Sequence, residues 1–384
     1  MVKCYICDKN LAELQKKDRY NEHIILNAIG GKLTSRDLLC RECAEELDDI
    51  DKVLTYSLNL IGLLLNIKRD RLENPSEKGT RTDTGEKIYI AAGGKPVPIQ
   101  SKPVIEKFPN NNVRITGKDN KQLKDYLKSL KRKGFLTDSA IEDILKTAQH
   151  RQELITSPID IKLIFGDDKC FRSVCKMAIN YYIYNQGNPS FIKHLIPYIK
   201  DGECSDCVWY YYPENPVHNN QEFIHTLFIK GDPDEKILYA YIELFNTFNL
   251  IVMLSDFYDG TAIQKSYSFD VISRQVVELD LNIQLCRNDI LNLVKCRPLQ
   301  TKLESHIINA FNNLQKETEL MALRKRFFEI LKKHFTPISE GEVFTEDNLK
   351  QLSSELAEAL TNVLYYHNPY YNLTDLDNNT SDSF

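Results

Sequence analysis

Apolar positions at Leu54, Leu58, Ile61 and Leu65 recur at helical spacing, behind an acidic run (Glu45, Glu46, Asp48, Asp49, Asp51) that suits the positive end of a helix. The same period returns at 120–133. There Leu123, Leu127 and Leu130 share one side, and Lys121, Lys124, Lys128, Lys131 and Arg132 run along the other. Residues 170–184 read as a buried helix, with Cys170 and Cys175 as core thiols. The pattern then changes to strands at 209–212, 223–229, 237–245, 250–254, 265–271 and 276–281, broken by Gly231-Asp232-Pro233-Asp234 and Tyr258-Asp259-Gly260. From Asn288 it is helical again, and the groups 307–314, 323–331 and 352–363 predict three helices. Between the first helix and the basic one, residues 73–116 are rich in Pro, Gly, Thr and Asn. Short strands are expected at 87–90 and 112–115, with a turn at Gly93-Gly94.

The pattern predicts an α+β protein in three parts. Residues 1–72 form a small module, 73–156 a linker with a small β element and a basic helix, and 157–384 an α+β domain. That last part has a mainly antiparallel sheet, a helical C-terminus and a disordered polar tail at 375–384. The longest apolar stretch, 58–67, is interrupted by Asn59 and Gly62, so no membrane span is expected. With 49 basic and 54 acidic residues the formal charge is −5, so any nucleic-acid contact must be local. Its candidates are Lys68, Arg69 and Arg71 after the first helix and Lys121, Lys124 and Lys128 on the basic one.

The chemistry concentrates in 4–44. Cys4/Cys7 and Cys40/Cys43 are two Cys-x-x-Cys knuckles with 32 residues between them, the pairing that tetrahedral zinc requires. Two disulfides are the alternative. The opening Met1-Val2-Lys3-Cys4 carries no apolar leader, so reduced thiols and a cytoplasmic location are expected. Inside the frame lies Glu22-His23, followed by Ile24-Ile25 and Gly30-Gly31. Neighbouring strand residues face opposite sides, so the pair shares one site only at a strand end or twist. Given that, His23 could deprotonate water while Glu22 helps hold a divalent cation against a phosphate. A third Cys-x-x-Cys, Cys204/Cys207, reads as a surface turn, with His218 and His225 as conceivable zinc partners.

Taken together, Cys4-x-x-Cys7, the run Glu22-His23-Ile24-Ile25-Leu26-Asn27-Ala28-Ile29-Gly30-Gly31, and Leu38-Leu39-Cys40-x-x-Cys43 resemble the zinc-containing HNH (ββα-metal) endonucleases over roughly the first 70 residues. The resemblance implies a ββα fold closed by structural Zn²⁺, with Glu22 as a ligand of catalytic Mg²⁺ or Mn²⁺. It makes His23 the general base and Asp37, or Ser35, the group that orients it. The family's last position, usually Asn or His, falls on Ala44, whose methyl binds no cation. Three explanations compete: Glu45 or Asp48 stands in there, the chain is a DNA-binding relic, or Ala44 is an inactivating substitution. Double-stranded DNA is the implied substrate, homodimers are common in such enzymes, and the long body would answer to a partner protein or small signal. A nuclease head on a separate body looks like bacterial restriction and antiphage effectors. The rival reading is a non-catalytic zinc-stabilised DNA- or protein-binding module.

Overall fold

The computed structural model describes residues 2–70, 74–99, 102–109, 113–117, 119–149, 157–162, 164–203, 206–213, 217–218, 223–295, 300–336 and 343–367. Arg71, Cys204 and the tail at 375–384 lie outside them. The chain forms two compact units, one from Met1–Asn74 with Leu163–Phe384, the other from Pro75–Lys162.

The first unit opens with β1 (Glu22–His23) antiparallel to β2 (Thr34–Ser35), so that Glu22 faces Ser35 and His23 faces Thr34 across the ladder. Helices α1 (Arg41–Glu46), α2 (Asp48–Ser57) and α3 (Asn59–Leu64) follow. The helix expected through Leu58 is broken there, yet Leu54, Leu58, Ile61 and Leu65 are all buried, so the apolar face survives the break.

In the second unit, β3 (Glu77–Arg81), β4 (Lys87–Ala91), β5 (Lys95–Pro98) and β8 (Ile159–Asp160) make an antiparallel sheet in the order β5-β4-β3-β8. Gly93 and Gly94, both at positive φ, turn β4 into β5 as the sequence predicts. A separate hairpin pairs β6 (Val104–Lys107) with β7 (Val113–Thr116). Then come α4 (Asn120–Arg132), capped by the Asp119 side chain, and α5 (Asp138–Thr147), capped by Thr137. Leu127 on α4 is fully buried and Ile141 on α5 nearly so.

The first unit resumes with α6 (Asp168–Tyr184) and α7 (Ile196–Asp201). The sheet follows: β9 (Val208–Tyr210), β10 (Ile224–Asp232), β11 (Ile237–Leu244), β12 (Phe248–Ser255), β13 (Ile263–Asp270) and β14 (Gln275–Val277). All pairs are antiparallel, in the order β14-β13-β10-β11-β12-β9. Both faces of β11 are covered. Leu238, Ala240, Ile242 and Leu244 join the core that holds α6, while Ile237, Tyr239 and Tyr241 pack with Ile283 and Ile290. Two-sided burial explains why β11 reads as a continuous apolar run and not an alternation.

Helices α8 (Arg287–Lys295), α9 (Gln300–Phe335) and α10 (Glu346–His367) end the described chain. The two helices expected at 307–314 and 323–331 are one, α9, because no Gly or Pro interrupts 315–322. Cys207, expected in a surface turn, is buried, with its sulfur 3.9 Å from that of Cys175. One core runs through the unit: Ile24, Ile25, Ile29, Leu38 and Leu39 of the N-terminal segment belong to the same cluster as Val174, Ala178, Leu227 and Ile242.

Candidate metal and histidine site

Each cysteine knuckle is shaped by its backbone. The Cys4 N–H donates to the Lys9 carbonyl, and Asp8, at positive φ, donates to the Cys4 carbonyl, folding the first knuckle back on itself. Cys40 stands just before α1, and its carbonyl accepts the Ala44 N–H. The four sulfurs, of Cys4, Cys7, Cys40 and Cys43, lie within 4.8 Å of one another, and those of Cys7 and Cys40 are 3.7 Å apart. A tetrahedral zinc with bonds of about 2.3 Å needs sulfurs roughly 3.8 Å apart, so the cage fits the ion. Burial and the neighbouring thiols push the Cys43 thiol up, a cost that a dication bound among the sulfurs would offset.

Glu22 and His23 point to opposite sides of β1. Glu22 is 3% exposed, and its Oε1 accepts from the Lys176 ammonium at 2.6 Å and from the Asn180 amide at 3.2 Å. Lys176 also reaches Asp51 at 2.6 Å, and the Ser173 hydroxyl donates to Asp51. The Tyr5 hydroxyl donates to Asn180 at 2.9 Å, completing a buried polar chain between the N-terminal segment and α6. Burial pushes the Glu22 carboxyl up, against the pull of Lys176. For Lys176 itself, burial favours the neutral amine, but Asp51 and Glu22 together hold it charged and above its usual range.

His23 faces the other way, with its side chain 28% exposed and Nε2 3.8 Å from Asp70 Oδ2. Asp70 is itself well held. Lys32 donates to Oδ1 at 2.8 Å, the Asn27 amide donates to Oδ2 at 2.8 Å, and the Asp70 N–H donates to Asn27 Oδ1. The Lys32 hydrogen bond keeps the Asp70 carboxyl below the ordinary carboxylate range.

The loop after His23 is clamped from below. Gly30 sits at φ +102°, and a Cβ on Gly31 would lie 2.1 Å from the Ile25 carbonyl oxygen. The fully buried His225 ring fixes the turn between them. Its Nδ1 accepts the Phe245 N–H, so Nε2 carries the proton and donates to the Ile29 carbonyl at 2.8 Å. Burial pushes His225 down to about 4. Phe245 and Asn246 both have positive φ, the type I′ turn joining β11 to β12, which is unusual for Phe.

The structure separates several residues that the sequence grouped. Glu22 lies sealed against Lys176, and Ala44 is 5% exposed in the core behind the second knuckle. Glu22 thus faces Lys176, on the side of β1 opposite His23. Asp37 is exposed, and its backbone N–H bonds Ser35 Oγ; its carboxylate makes no bond to His23 among the described residues. Glu45 and Asp48 pair on the surface with Arg41 and Lys52. Lys68 is exposed, whereas Arg69 donates to Asn59 and Asn74. His218 is held 2.8 Å from buried Glu243, and both ring nitrogens of His225 are taken by backbone groups. Lys121, Lys124 and Lys128 are exposed on α4. Sequence reasoning missed Asp70, Lys176 and Asn180, and it weighed His225 as a zinc partner where the structure makes it a clamp on the Ile29 carbonyl. Asp70 stood in plain view inside Lys68-Arg69-Asp70-Arg71, while Lys176 and Asn180 gave no local signal.

Among the described residues, no helix is long and apolar enough to cross a membrane. No curated protein and no solved structure matches the chain. The antiparallel pair, the following helix and the four-thiol cage make a ββα unit, and residues 4–59, which hold all of it, match the HNH endonuclease family model.

Proposed function

We propose that the protein is a metal-dependent HNH endonuclease that hydrolyses DNA phosphodiester bonds, with His23 as general base. The observation that carries the reading is His23 beside Asp70 on the open side of the zinc-framed ββα unit. In this reading His23 takes the proton of a water attacking phosphorus, and the adjacent carboxylate of Asp70 stabilises the imidazolium that forms. Mg²⁺ or Mn²⁺, when bound, neutralises the phosphate and the leaving oxygen. Glu22 is sealed from solvent against Lys176, whereas Asp70, although Lys32 bonds its Oδ1, is open to solvent beside His23, which makes its carboxylate the better candidate to hold the cation on that face. Exposed Lys68 continues the same segment as a phosphate contact, and Arg69 is set aside because it bonds Asn59 and Asn74. A nuclease head on a long body fits an effector of bacterial restriction or antiphage defence, the body answering to a partner or small signal.

Two observations favour a second reading, a zinc-stabilised binding module without catalysis: Ala44 is buried and Glu22 already has its counter-ion. A plasmid-cleavage assay in Mg²⁺ and Mn²⁺ separates them. The enzyme reading expects nicking by the wild type, a loss of about 10²–10⁴-fold in His23→Ala, a comparable loss in Asp70→Ala, and zinc content unchanged in both. Cutting that survives His23→Ala removes the histidine from the chemistry. If neither the wild type nor Ala44→Asn cuts while both bind DNA, the binding module is the correct reading.

A further inference from the structure

The charges of this chain are partitioned between its two units. The unit Pro75–Lys162 holds 17 of the 49 Lys and Arg residues and 11 of the 54 Asp and Glu residues, a formal +6 that leaves −11 on the remainder. A chain that looks mildly acidic as a whole therefore carries a compact cationic insertion. Within it, the positive charge is ordered along α4. Lys121, Lys124, Lys128 and Arg132, spaced by three, four and four residues, fall on one helical face, all exposed; Leu127, fully buried, and the half-buried Leu123 and Leu130 take the other. The only acid on α4 is Asp125.

Exposed cations on a protein surface commonly find carboxylates, and in this unit Lys131 does so with Asp138, Lys146 with Asp143, and Arg114 with Glu106. The four cations of the stripe make no ion pair and no side-chain hydrogen bond among the described residues. From Lys121 to Arg132 the stripe runs about 16 Å at helical rise, the length over which one strand of B-form DNA presents about five phosphates.

We propose that this insertion is the docking module for the DNA backbone, and that the α4 stripe is its contact face. The inference rests on the nuclease reading for the identity of the polyanion, but its own evidence is the charge partition and the unpaired stripe. A surface of this kind contacts phosphates and leaves base edges unread, so binding there is strong at low salt and indifferent to sequence. It holds a duplex on the same polypeptide as the zinc module, raising the concentration of scissile bonds that module meets.

The test is fluorescence anisotropy of the full-length protein on a 30-base-pair duplex across a KCl series, without added divalent cation. Lys121→Gln/Lys124→Gln/Lys128→Gln is compared with Lys78→Gln/Lys87→Gln/Lys95→Gln, which removes three exposed lysines from the sheet of the same unit. The α4 triple should flatten the slope of log K against log salt by about 2.7, since each phosphate contact contributes roughly 0.9. It should weaken binding by about 10²-fold or more near 0.1 M salt, while the sheet triple changes the slope by less than one contact. Equal losses in the two triples, or no loss in the α4 triple, would overturn the assignment, as would a wild type that does not bind the duplex or prefers an RNA duplex. Cleavage run in parallel keeps the two ideas apart. Salt-dependent binding through α4 without cutting defeats the nuclease reading and leaves the docking face standing; cutting with an unaltered α4 slope does the reverse. Where both hold, the α4 triple raises KM and leaves kcat in place.

Discussion

Lys176→Met tests the buried polar chain that ties the N-terminal segment to α6. Methionine keeps the length of the lysine and deletes its charge, leaving Glu22 and Asp51 each without a cation that stood at 2.6 Å. At an effective dielectric of about 20, each contact is worth roughly 6 kcal/mol of attraction, most of it offset by the dehydration of three charges. The measurable remainder on removing one member of such a group is about 3–5 kcal/mol. The loss also has a pH signature. Burial already raises the Glu22 carboxyl, and without Lys176 it rises further, so folded Glu22 binds a proton that the unfolded chain at the same pH does not. Stability of the variant therefore falls as pH rises above the usual carboxylate range, and its deficit against wild type is smaller at pH 5.5 than at pH 8. Urea unfolding of both proteins at the two pH values, with zinc present, reads this directly. Adding Glu22→Gln to Lys176→Met should return about 2 kcal/mol at pH 8, because the neutral amide needs no counter-ion. A deficit below about 1 kcal/mol, or one that ignores pH and Glu22→Gln, would refute the reasoning.

Three further outcomes follow from the same geometry. Cys40→Ser, or a chelator applied to wild type, should empty the thiol cage and unfold the segment around it, because structural zinc supplies roughly 10 kcal/mol or more; metal analysis beside circular dichroism reads both. His225 is depressed to about 4 by burial, against an unfolded value near 6.5, so the stability it lends is present above the unfolded value and is lost as pH falls toward the folded one. The full shift is worth about 3 kcal/mol, and His225→Phe should remove that part of the acid sensitivity in pH-dependent denaturation. Gly31→Ala sets a methyl 2.1 Å from the Ile25 carbonyl oxygen and should cost about 3 kcal/mol or more, seen as a lowered melting temperature, while Ala at Gly62, a helical position whose new methyl meets only the Ile67 side chain at 3.7 Å, should cost under about 1 kcal/mol.

The sequence made the zinc frame legible because a metal site declares itself through spacing along the chain, and Cys4, Cys7, Cys40 and Cys43 meet as that spacing requires. The ββα order, the antiparallel sheet and the basic face of α4 were legible for a similar reason: each is a periodic property of neighbours. What escaped is long-range and singular. Lys176 meets Glu22 across 154 positions and His225 meets Ile29 across 196, with nothing periodic to mark either. Glu22 is the instructive case. Alternation along a strand already warned that it and His23 would diverge, and the structure turns the acid inward to an ion pair that no local pattern could announce.

The clamp of His225 on the Ile29 carbonyl also has a consequence for synthesis. Both cysteine knuckles have been made once residue 43 is added, so the thiol cage can close early. The lysine that neutralises Glu22 and the ring that fixes the loop after His23 come far later in the chain, at positions 176 and 225. At about 5–20 residues per second, roughly 10–40 s of translation separate the second knuckle from His225 and the β11–β12 turn that fixes its tautomer. Throughout that interval the nascent N-terminus can be metal-loaded without its histidine loop being set. Order of synthesis thus places the setting of the loop after His23 well behind the closing of the thiol cage.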